Sequence, residues 1–200
     1  MPKIVDRELR REELLEATWR VMARSGIDAV SVRDIATEAG YSTGVVAHYF
    51  KNKDDVVRSA LLRVWRHEAG RIRQRTAGLK GLAALEAIIE EVLPLDDQRR
   101  LEMAVWMSFW GRAIGDGGLS EEQKRYYAQW RGLLSRHLSE AVELGEVGEI
   151  DCEKEAACLA GVIDGIGIQA IFEPGRFKAR ALLAMVHDHL ARLASPGGSC

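Results

Sequence analysis

A short polar segment near the N-terminus carries side chains that can bind nucleic acid. His48, Tyr49 and Lys53 are suited to phosphate oxygens, because each can donate a hydrogen bond. Thr43 and Val45 are suited to base edges or to the methyl group of thymine. Free backbone N–H groups at the start of a helix here would also favour phosphate. These residue types predict binding to double-stranded DNA.

Two short helices joined by a glycine turn would position these side chains. Ser31 can cap the first helix, with Asp34 three residues later as its capping-box partner. Gly40 follows where the chain must turn through a left-handed residue. Ser42 or the residue after it can cap a second helix that extends to Phe50. This order of elements is typical of a helix-turn-helix motif.

The same geometry also occurs where helices simply pack against one another. Val46 and Phe50 are expected in the core in either case. Arg33, on the first helix, can reach a guanine or a phosphate if the segment binds DNA. Capping and spacing alone therefore leave both DNA binding and plain helical packing open.

The charge of the chain is unevenly distributed. The net charge is −2, from 28 Lys and Arg against 30 Asp and Glu. Residues 1–80 carry a net charge of +5, and residues 81–200 carry −7. The basic part can be attracted to DNA while the acidic part is held away from it. Arginines on a solvated helix face are the alternative explanation for the basic excess.

The rest of the chain predicts helices separated by glycine and proline breaks, and no stretch shows sustained strand alternation. After a flexible glycine loop at 115–118, Ser120 and Gln123 are expected to form a capping box. The predicted helices cover residues 53–75, 82–93, 97–113, 120–144, 152–172 and 177–193.

The fold class predicted from this pattern is all-α. We expect a helix-turn-helix DNA-binding domain over residues 1–55, with a connecting helix over 53–76. A larger helical domain over 77–200 would bind a ligand and dimerise. The tail before Cys200 has a composition typical of a disordered segment.

The last two helices carry the pattern of a dimer interface. Ala157, Gly161 and Gly165 recur every four residues and leave a shallow stripe where another helix can approach closely. Packing within one chain is the alternative. The apolar residues expected beside the stripe in a dimer are Ile168, Leu183, Val186 and Leu190.

Aromatic residues on two consecutive helices form a candidate ligand site. Such faces, with carboxylates nearby, can hold a cation by cation–π attraction. An aromatic cluster between packed helices is also common as plain core, and that alternative stays open. The candidate ligand-binding residues are Glu102, Trp106, Phe109, Trp110, Tyr127, Trp130 and Asp164.

No arrangement of residues predicts catalysis. The five histidines show no H-E-x-x-H, and no G-x-S-x-G occurs. Residues 165–170 match a dinucleotide fingerprint formally, but no strand precedes them, so no cofactor is expected. Cys152, Cys158 and Cys200 match no zinc spacing, so no metal is expected. A small helical enzyme and a helical adaptor that binds only protein are the alternative functions.

The location expected from the sequence is the cytoplasm, with no membrane partner. The first residues are charged throughout, which predicts no signal peptide. The most apolar run, 156–172, contains Asp164 and Gln169 and is expected to be too short to span a bilayer. An odd number of cysteines without close pairing suits a reducing compartment.

Several motifs in fixed order resemble the DNA-binding domain of the TetR family of bacterial repressors. They are the opening helix RREELLEATWRVMARSG, the block SVRDIATEAGYSTGVVAHYF and the Lys51-Asn52-Lys53 exit, over about a quarter of the chain. The resemblance implies an all-helical repressor that binds operator DNA as a dimer. It also implies a set of DNA contacts at Arg33, Ser42, Thr43, Gly44, His48, Tyr49 and Lys53.

Two later segments, AVWMSFWGRA and GVIDGIGIQA, are similar to the BetI-type subgroup of choline-sensing repressors. The match covers scattered segments, and residues 144–150 depart from it. The resemblance implies a small-molecule effector, for which a quaternary ammonium, a polyamine and an apolar molecule are all open. We therefore expect a homodimeric, ligand-responsive transcriptional repressor that binds a palindromic operator and is released by its effector.

Overall fold

The computed structural model describes residues 2–194, with side chains from Asp6 onward. Within that range the chain forms α-helices and no strand, which confirms the predicted all-α class. The helices are α1 (Pro2–Ser25), α2 (Val32–Ala39), α3 (Thr43–Tyr49), α4 (Lys53–Arg75), α5 (Gly81–Val92), α6 (Asp97–Gly115), α7 (Gly117–Glu143), α8 (Cys152–Phe172) and α9 (Ala179–Leu193).

The chain divides into two compact units. The first comprises Met1–His67 with Ala104–Phe109, and the second comprises Glu68–Met103 with Trp110–Cys200. Helix α4 begins in the first unit and ends in the second. The domain limits expected from the sequence stay a prediction.

Local capping chemistry defines most of the helix-turn-helix segment, although Ser42 occupies the N-cap position of α3 without a side-chain cap hydrogen bond. The Ser31 side chain accepts from the Asp34 backbone, and the Asp34 carboxylate accepts from the Ser31 backbone, which is a complete capping box. Gly40 ends α2 with φ 71°, a left-handed conformation that favours glycine. Asn52 caps α4 by accepting a 2.9 Å hydrogen bond from the Asp55 backbone. The predicted capping box at Ser31 and the predicted left-handed turn at Gly40 are therefore confirmed.

The first unit holds its short helices against α1. Glu38 of α2 accepts hydrogen bonds of 2.9 Å from both Arg20 and Arg24 of α1. Ile35 and Val46 are fully buried beneath α2 and α3, as the sequence predicts for Val46. Burying an aliphatic side chain of this size contributes about 1.5–3 kcal/mol. This packing sets the orientation of α3 within the unit.

The core of the second unit is built from α5, α7, α8 and α9. Leu85, Leu134 and Leu159 are completely buried in it. Trp130, Val186 and Leu190 belong to the same core, with 8%, 0% and 2% exposure. Val186 and Leu190 fill the interior of their own unit, so the expectation that they face a second protomer is corrected. A ligand-binding role for Trp130 stays a prediction.

Helix α7 begins earlier than the sequence analysis expects. Asp116 is its N-cap, and the Asp116 carboxylate accepts from the backbone of Gly118 and Leu119. Ser120 and Gln123 lie inside the helix and form no capping box. The expected glycine loop is thus wrong: only Asp116 separates α6 from α7.

Helix α8 reaches the length and apolarity of a membrane-spanning helix, contrary to the expectation from the sequence. Ile163 and Ile166 bury its inner face in the core of the second unit, and core helices pass the same test of length and composition. Cys152 and Cys158 are half-buried. Cys200 and the tail before it lie outside the described residues. Within residues 2–194, no group of three or more His, Cys, Asp or Glu side chains could hold a metal.

Candidate DNA-binding surface and effector cleft

Helix α3 presents most of the predicted DNA contacts to solvent. Val46 and Phe50 point into the first unit, with 1% and 4% exposure, and so anchor the inner side of α3. The outer side of the segment includes five exposed residues and two that are half-buried. The exposed residues are Arg33, Ser42, Thr43, Gly44 and His48, and the half-buried ones are Val45 and Tyr49.

Two aromatic rings and one lysine define the C-terminal end of this surface. His48 and Tyr49 meet edge to face, with ring centroids 5.3 Å apart. Half-buried Lys53 donates a 2.6 Å hydrogen bond from Nζ to the backbone carbonyl of Asp28. Lys53 therefore ties the start of α4 to the turn before α2, a role that the sequence analysis did not anticipate.

Side chains from α1 hold the turn and the end of α3. The hydroxyl of Tyr41 donates to the Glu13 carboxylate, and the Arg10 guanidinium lies over the Tyr41 ring at 5.7 Å. The Arg11 guanidinium lies 5.4 Å from the centroid of the Phe50 ring. Because α1 contacts both flanks of α3, the outer face of α3 is presented on a fixed support.

The predicted ligand-binding residues fall in different units. Trp106 and Phe109 belong to the first unit, where both are buried and their rings meet edge to face at 5.9 Å. Glu102 belongs to the second unit, where its carboxylate accepts a 2.7 Å hydrogen bond from Arg71. Arg71 also pairs with Glu91, so Glu102 is part of an ion-pair network that joins α4, α5 and α6.

Tyr127 and Asp164 meet within the second unit. The Tyr127 hydroxyl donates a 2.8 Å hydrogen bond to the Asp164 carboxylate. Burial raises the pKa of Asp164, because a charged carboxylate loses hydration there. Burial also raises the pKa of Tyr127, and the neighbouring Asp164 charge raises it further. The pKa of half-buried Tyr126 is raised by loss of hydration, then by the charges of Glu68 and Asp164. The charge of Glu68, a residue that the sequence analysis did not consider, therefore also acts on this group of side chains.

A cleft of about 310 Å³ lies between α6 and α7. Two predicted residues, Trp110 and Tyr127, line it. Gln123 also lines it, although the sequence analysis assigned that residue to a cap. A helical repeat could have revealed it, because Gln123 lies four residues before Tyr127 and so shares its face. The remaining lining residues are Ala113, Ile114, Ser120 and Lys124.

The small-residue stripe of α8 faces solvent. Ala157 and Gly161 are exposed, and a Cβ atom added at Gly161 or Gly165 would meet no neighbouring atom within 4 Å. Close packing inside the unit occurs instead at Gly167, where an added Cβ would lie 2.6 Å from Cε of Met103. The unit does not need the glycines of the stripe for its own packing. Ile168 and Leu183 are half-buried beside them.

The described residues thus form a helical chain with an exposed helix-turn-helix segment in the first unit and a cleft in the second. Residues 14–60 match the family described as bacterial regulatory proteins, tetR family. Residues 82–195 match the BetI-type transcriptional repressor C-terminal family, which covers more than half of the chain. The chain belongs to the TetR family of transcriptional regulators and has a BetI-type C-terminal domain.

Full-length relatives support the same assignment. The chain is 29% identical over 194 residues to the HTH-type transcriptional regulator PksA of Bacillus subtilis (strain 168), covering 95% of this chain and 92% of the relative. It is 28% identical over 192 residues to the regulator BetI of Burkholderia cenocepacia (strain HI2424), covering 95% of this chain and 96% of that relative. These relatives are transcriptional regulators, and the family assignment excludes the enzyme alternative.

Two solved structures share the fold. A transcriptional regulator from Rhodococcus sp. Rha1 superposes with a TM-score of 0.81 at 29% identity, covering 92% of this chain and 95% of that one. A putative transcriptional regulator from Saccharomonospora viridis, solved in complex with choline, gives a TM-score of 0.86 at 24% identity, covering 90% and 95%. At that lower identity, the second comparison shows the common fold alone.

Proposed function

We propose that this chain is a homodimeric repressor that binds a pseudo-palindromic operator through α3 and is released by a small molecule held near the α6–α7 cleft. The proposal rests mainly on the outer face of α3, which is exposed to solvent while contacts from α1 hold the two ends of the helix. Family membership supplies the class of regulator. Four further properties are proposed for this chain: a palindromic operator, a dimer, release from DNA by the effector and a cytoplasmic location.

The composition of the α3 surface supports DNA as its partner. Gly44 is not required by packing within the unit, because a Cβ added there would meet Ser42 Oγ at 3.7 Å, an ordinary contact. A glycine at an exposed helix start instead lets a DNA backbone approach closely. His48 and Tyr49 follow on the same short helix, where they can donate to phosphate oxygens. Thr43 and Val45 would then meet base edges.

The exposed stripe of α8 supports a dimer. Ala157, Gly161 and Gly165 leave room for a second helix, and half-buried Ile168 adds apolar area beside them. Phe172, at 74% exposure, continues the same face. Operators read by helix-turn-helix proteins are often two-fold symmetric, and a two-fold dimer matches that symmetry. We infer an interface made by this stripe with Leu183 of α9, without Val186 and Leu190.

A small cationic or amphipathic effector is supported by the second unit. The half-buried Asp164 carboxylate would be stabilised by an arriving positive charge, and its hydrogen-bond partner Tyr127 lines the cleft together with Trp110. The choline bound by the Saccharomonospora viridis regulator is an effector candidate of this kind. Release from DNA requires that the effector bind the operator-free state more tightly than the operator-bound state.

An electrophoretic mobility shift with the DNA flanking the gene of this protein tests the proposal. We expect a retarded complex, a footprint of two half-sites related by two-fold symmetry, and competition by added salt. Choline and spermidine would then be titrated into the complex to test release. If the protein forms no complex that prefers one DNA sequence, the repressor assignment is overturned in favour of an adaptor. If a specific complex forms but no small molecule releases it, only the proposed role of the effector is overturned.

A further inference from the structure

One side of α1 lies against the turn of the helix-turn-helix segment. Asp6, Arg10 and Glu13 follow one another at spacings of four and three residues, so they share that side of the helix. The Arg10 guanidinium lies 5.7 Å from the centroid of the Tyr41 ring, and the Tyr41 hydroxyl donates to the Glu13 carboxylate at 2.5 Å. Because Tyr41 belongs to the turn between α2 and α3, Arg10 is held at the segment that leads into α3.

Arg10 is also close to a predicted phosphate contact at the end of α3. The pKa of Arg10 is raised, first by the Tyr41 hydroxyl and then by the charge of Asp6, and Tyr49 contributes as well. Interactions between exposed charges are screened over about 10 Å in physiological salt, so a group that acts on Arg10 must be near it. The guanidinium therefore borders the surface that includes Tyr49.

The charge of Arg10 is accessible to a further partner. Its side chain is 39% exposed, and that of its ion-pair partner Asp6 is 63% exposed. Arg10 Nη2 donates to Asp6 Oδ1 at 3.1 Å, and this bond uses one of the five N–H donors of a guanidinium. Exposed ion pairs contribute little to stability. A phosphate can therefore replace the Asp6 carboxylate, and the planar guanidinium fits phosphate oxygens well.

We propose that Arg10 binds a backbone phosphate of the operator from α1, outside the helix-turn-helix motif. Each DNA strand carries a phosphate about every 3.4 Å along the helix axis, so a strand bound at Tyr49 has further phosphates within reach of Arg10. Tyr41 is a positioning residue, because its ring supports the guanidinium and its bond to Glu13 fixes the ring. Asp6 competes with the phosphate for Arg10.

The inference rests on the proposed function, because it requires that α3 docks on DNA. The alternative role for Arg10 is to brace Tyr41 within the first unit. A brace would act on the stability of the fold and would not add to the salt dependence of DNA binding. A phosphate contact would add to that salt dependence, because each phosphate that is neutralised releases counterions.

Fluorescence anisotropy of the full-length protein tests the inference, with an operator duplex and a random duplex between about 50 and 200 mM salt. The variants are Arg10→Gln, Arg10→Lys and Asp6→Asn, and the melting temperature of each is measured. The second unit offers a matched control, since the Arg176 guanidinium lies 5.4 Å from the Phe177 ring centroid and pairs with Glu173 at 3.6 Å. The control variants are Arg176→Gln and Glu173→Gln.

We expect Arg10→Gln to weaken binding to both duplexes roughly two- to five-fold for each protomer bound. The slope of log affinity against log salt should fall by about 0.9 per protomer. Arg10→Lys keeps the charge and should restore most of the slope. Asp6→Asn should strengthen binding, because it removes the competing carboxylate, and this gain should shrink in the Asp6→Asn, Arg10→Gln double variant. Both control variants should bind as the wild type does.

The possible failures separate this inference from the proposed function. If the wild type binds the operator but Arg10→Gln leaves the salt slope unchanged, Arg10 does not bind phosphate. A lower melting temperature for Arg10→Gln with that unchanged slope would assign it to bracing Tyr41. Weaker binding by Asp6→Asn would also overturn the inference, because Asp6 would then assist DNA binding rather than compete with it. A wild type that binds neither duplex would overturn the proposed function and this inference together.

Discussion

Tyr127 and Asp164 join α7 to α8 through a 2.8 Å hydrogen bond in which the phenol donates and the carboxylate accepts. The pKa of Asp164 is nevertheless raised, because the loss of hydration on burial outweighs the stabilisation that this bond provides. The folded protein thus holds a carboxylate whose charge is not fully compensated. A cation bound beside Asp164, or a neutral residue in place of Asp164, would reduce the free-energy cost of this uncompensated charge.

Asp164→Asn should stabilise the protein at neutral pH. An acid whose pKa is raised on folding carries no penalty while it is protonated in both states, below its ordinary value of 3.8. The penalty grows as the pH rises from that value through the higher pKa of the folded state, and it persists at pH 7. Asparagine removes the charge and keeps an acceptor for Tyr127.

Thermal denaturation between pH 3.5 and pH 7 measures this effect. The melting temperature of the Asp164→Asn variant should exceed that of the wild type at pH 7, and the gap should close as the pH falls. Tyr127→Phe, which removes the donor but keeps the carboxylate, should be less stable than the wild type at pH 7. A lower melting temperature for Asp164→Asn at pH 7 would show that the charge is compensated by other groups.

Lys53→Gln should weaken binding to every DNA sequence alike, because a phosphate contact carries no base information. Loss of one such contact should reduce the slope of log affinity against log salt by about 0.9. Glutamine keeps a donor for the Asp28 carbonyl, so the folded unit should persist. The measurement is fluorescence anisotropy with specific and random duplexes between 50 and 200 mM salt. Lys80→Gln, an exposed lysine of the second unit, should leave the slope unchanged.

Thr43→Ala should change base preference rather than general affinity. Thr43 is exposed at the start of α3, where its hydroxyl and methyl groups can face a base edge. A good base contact is worth about 1–3 kcal/mol of discrimination, so preference at one position per half-site should fall by roughly five- to a hundred-fold. Selection from a randomised operator library measures this. An unchanged preference would mean that Thr43 contacts only the backbone.

Sequence reasoning succeeded where the determining interactions are local. Ser31, Asp34 and Gly40 lie within ten residues of one another, and their capping chemistry depends on little else. The pairing of Arg71 with Glu102 spans 31 residues, and no local pattern indicates it. Aromatic clustering was visible in the sequence, but which members line a cleft and which fill the core depends on how distant helices pack.

Helical periodicity identified apolar faces without telling which one points inward. Gly161 and Gly167 lie on the same helix, and both fit a small-residue pattern. Only Gly167 meets a neighbour, Met103, which comes from α6 far away in the chain. Val186 and Leu190 were assigned to a dimer for the same reason, although α5 and α8 cover them within the unit.

Asp116→Ala should destabilise the protein, whereas Ser120→Ala should have little effect. Both residue types cap helices well, and the glycines at 117 and 118 made an early start of α7 look improbable. The Asp116 carboxylate satisfies two free backbone N–H groups, and its loss should cost about 1 kcal/mol. For a chain of this size that corresponds to about 2–4 °C in melting temperature. Equal effects of the two substitutions would argue that Ser120 also begins the helix.

Gly161→Leu should convert the proposed dimer to monomers by filling the space that a second helix needs. Sedimentation velocity measures the state, and affinity for a two-half-site operator should fall roughly a hundredfold or more with the loss of bivalent binding. Gly111→Leu is the matched control, because Gly111 is also exposed within a helix with no atom near an added Cβ. Both variants gain about 1 kcal/mol of helix propensity, so a difference between them reports the interface. An intact dimer in Gly161→Leu would move the interface away from the α8 stripe.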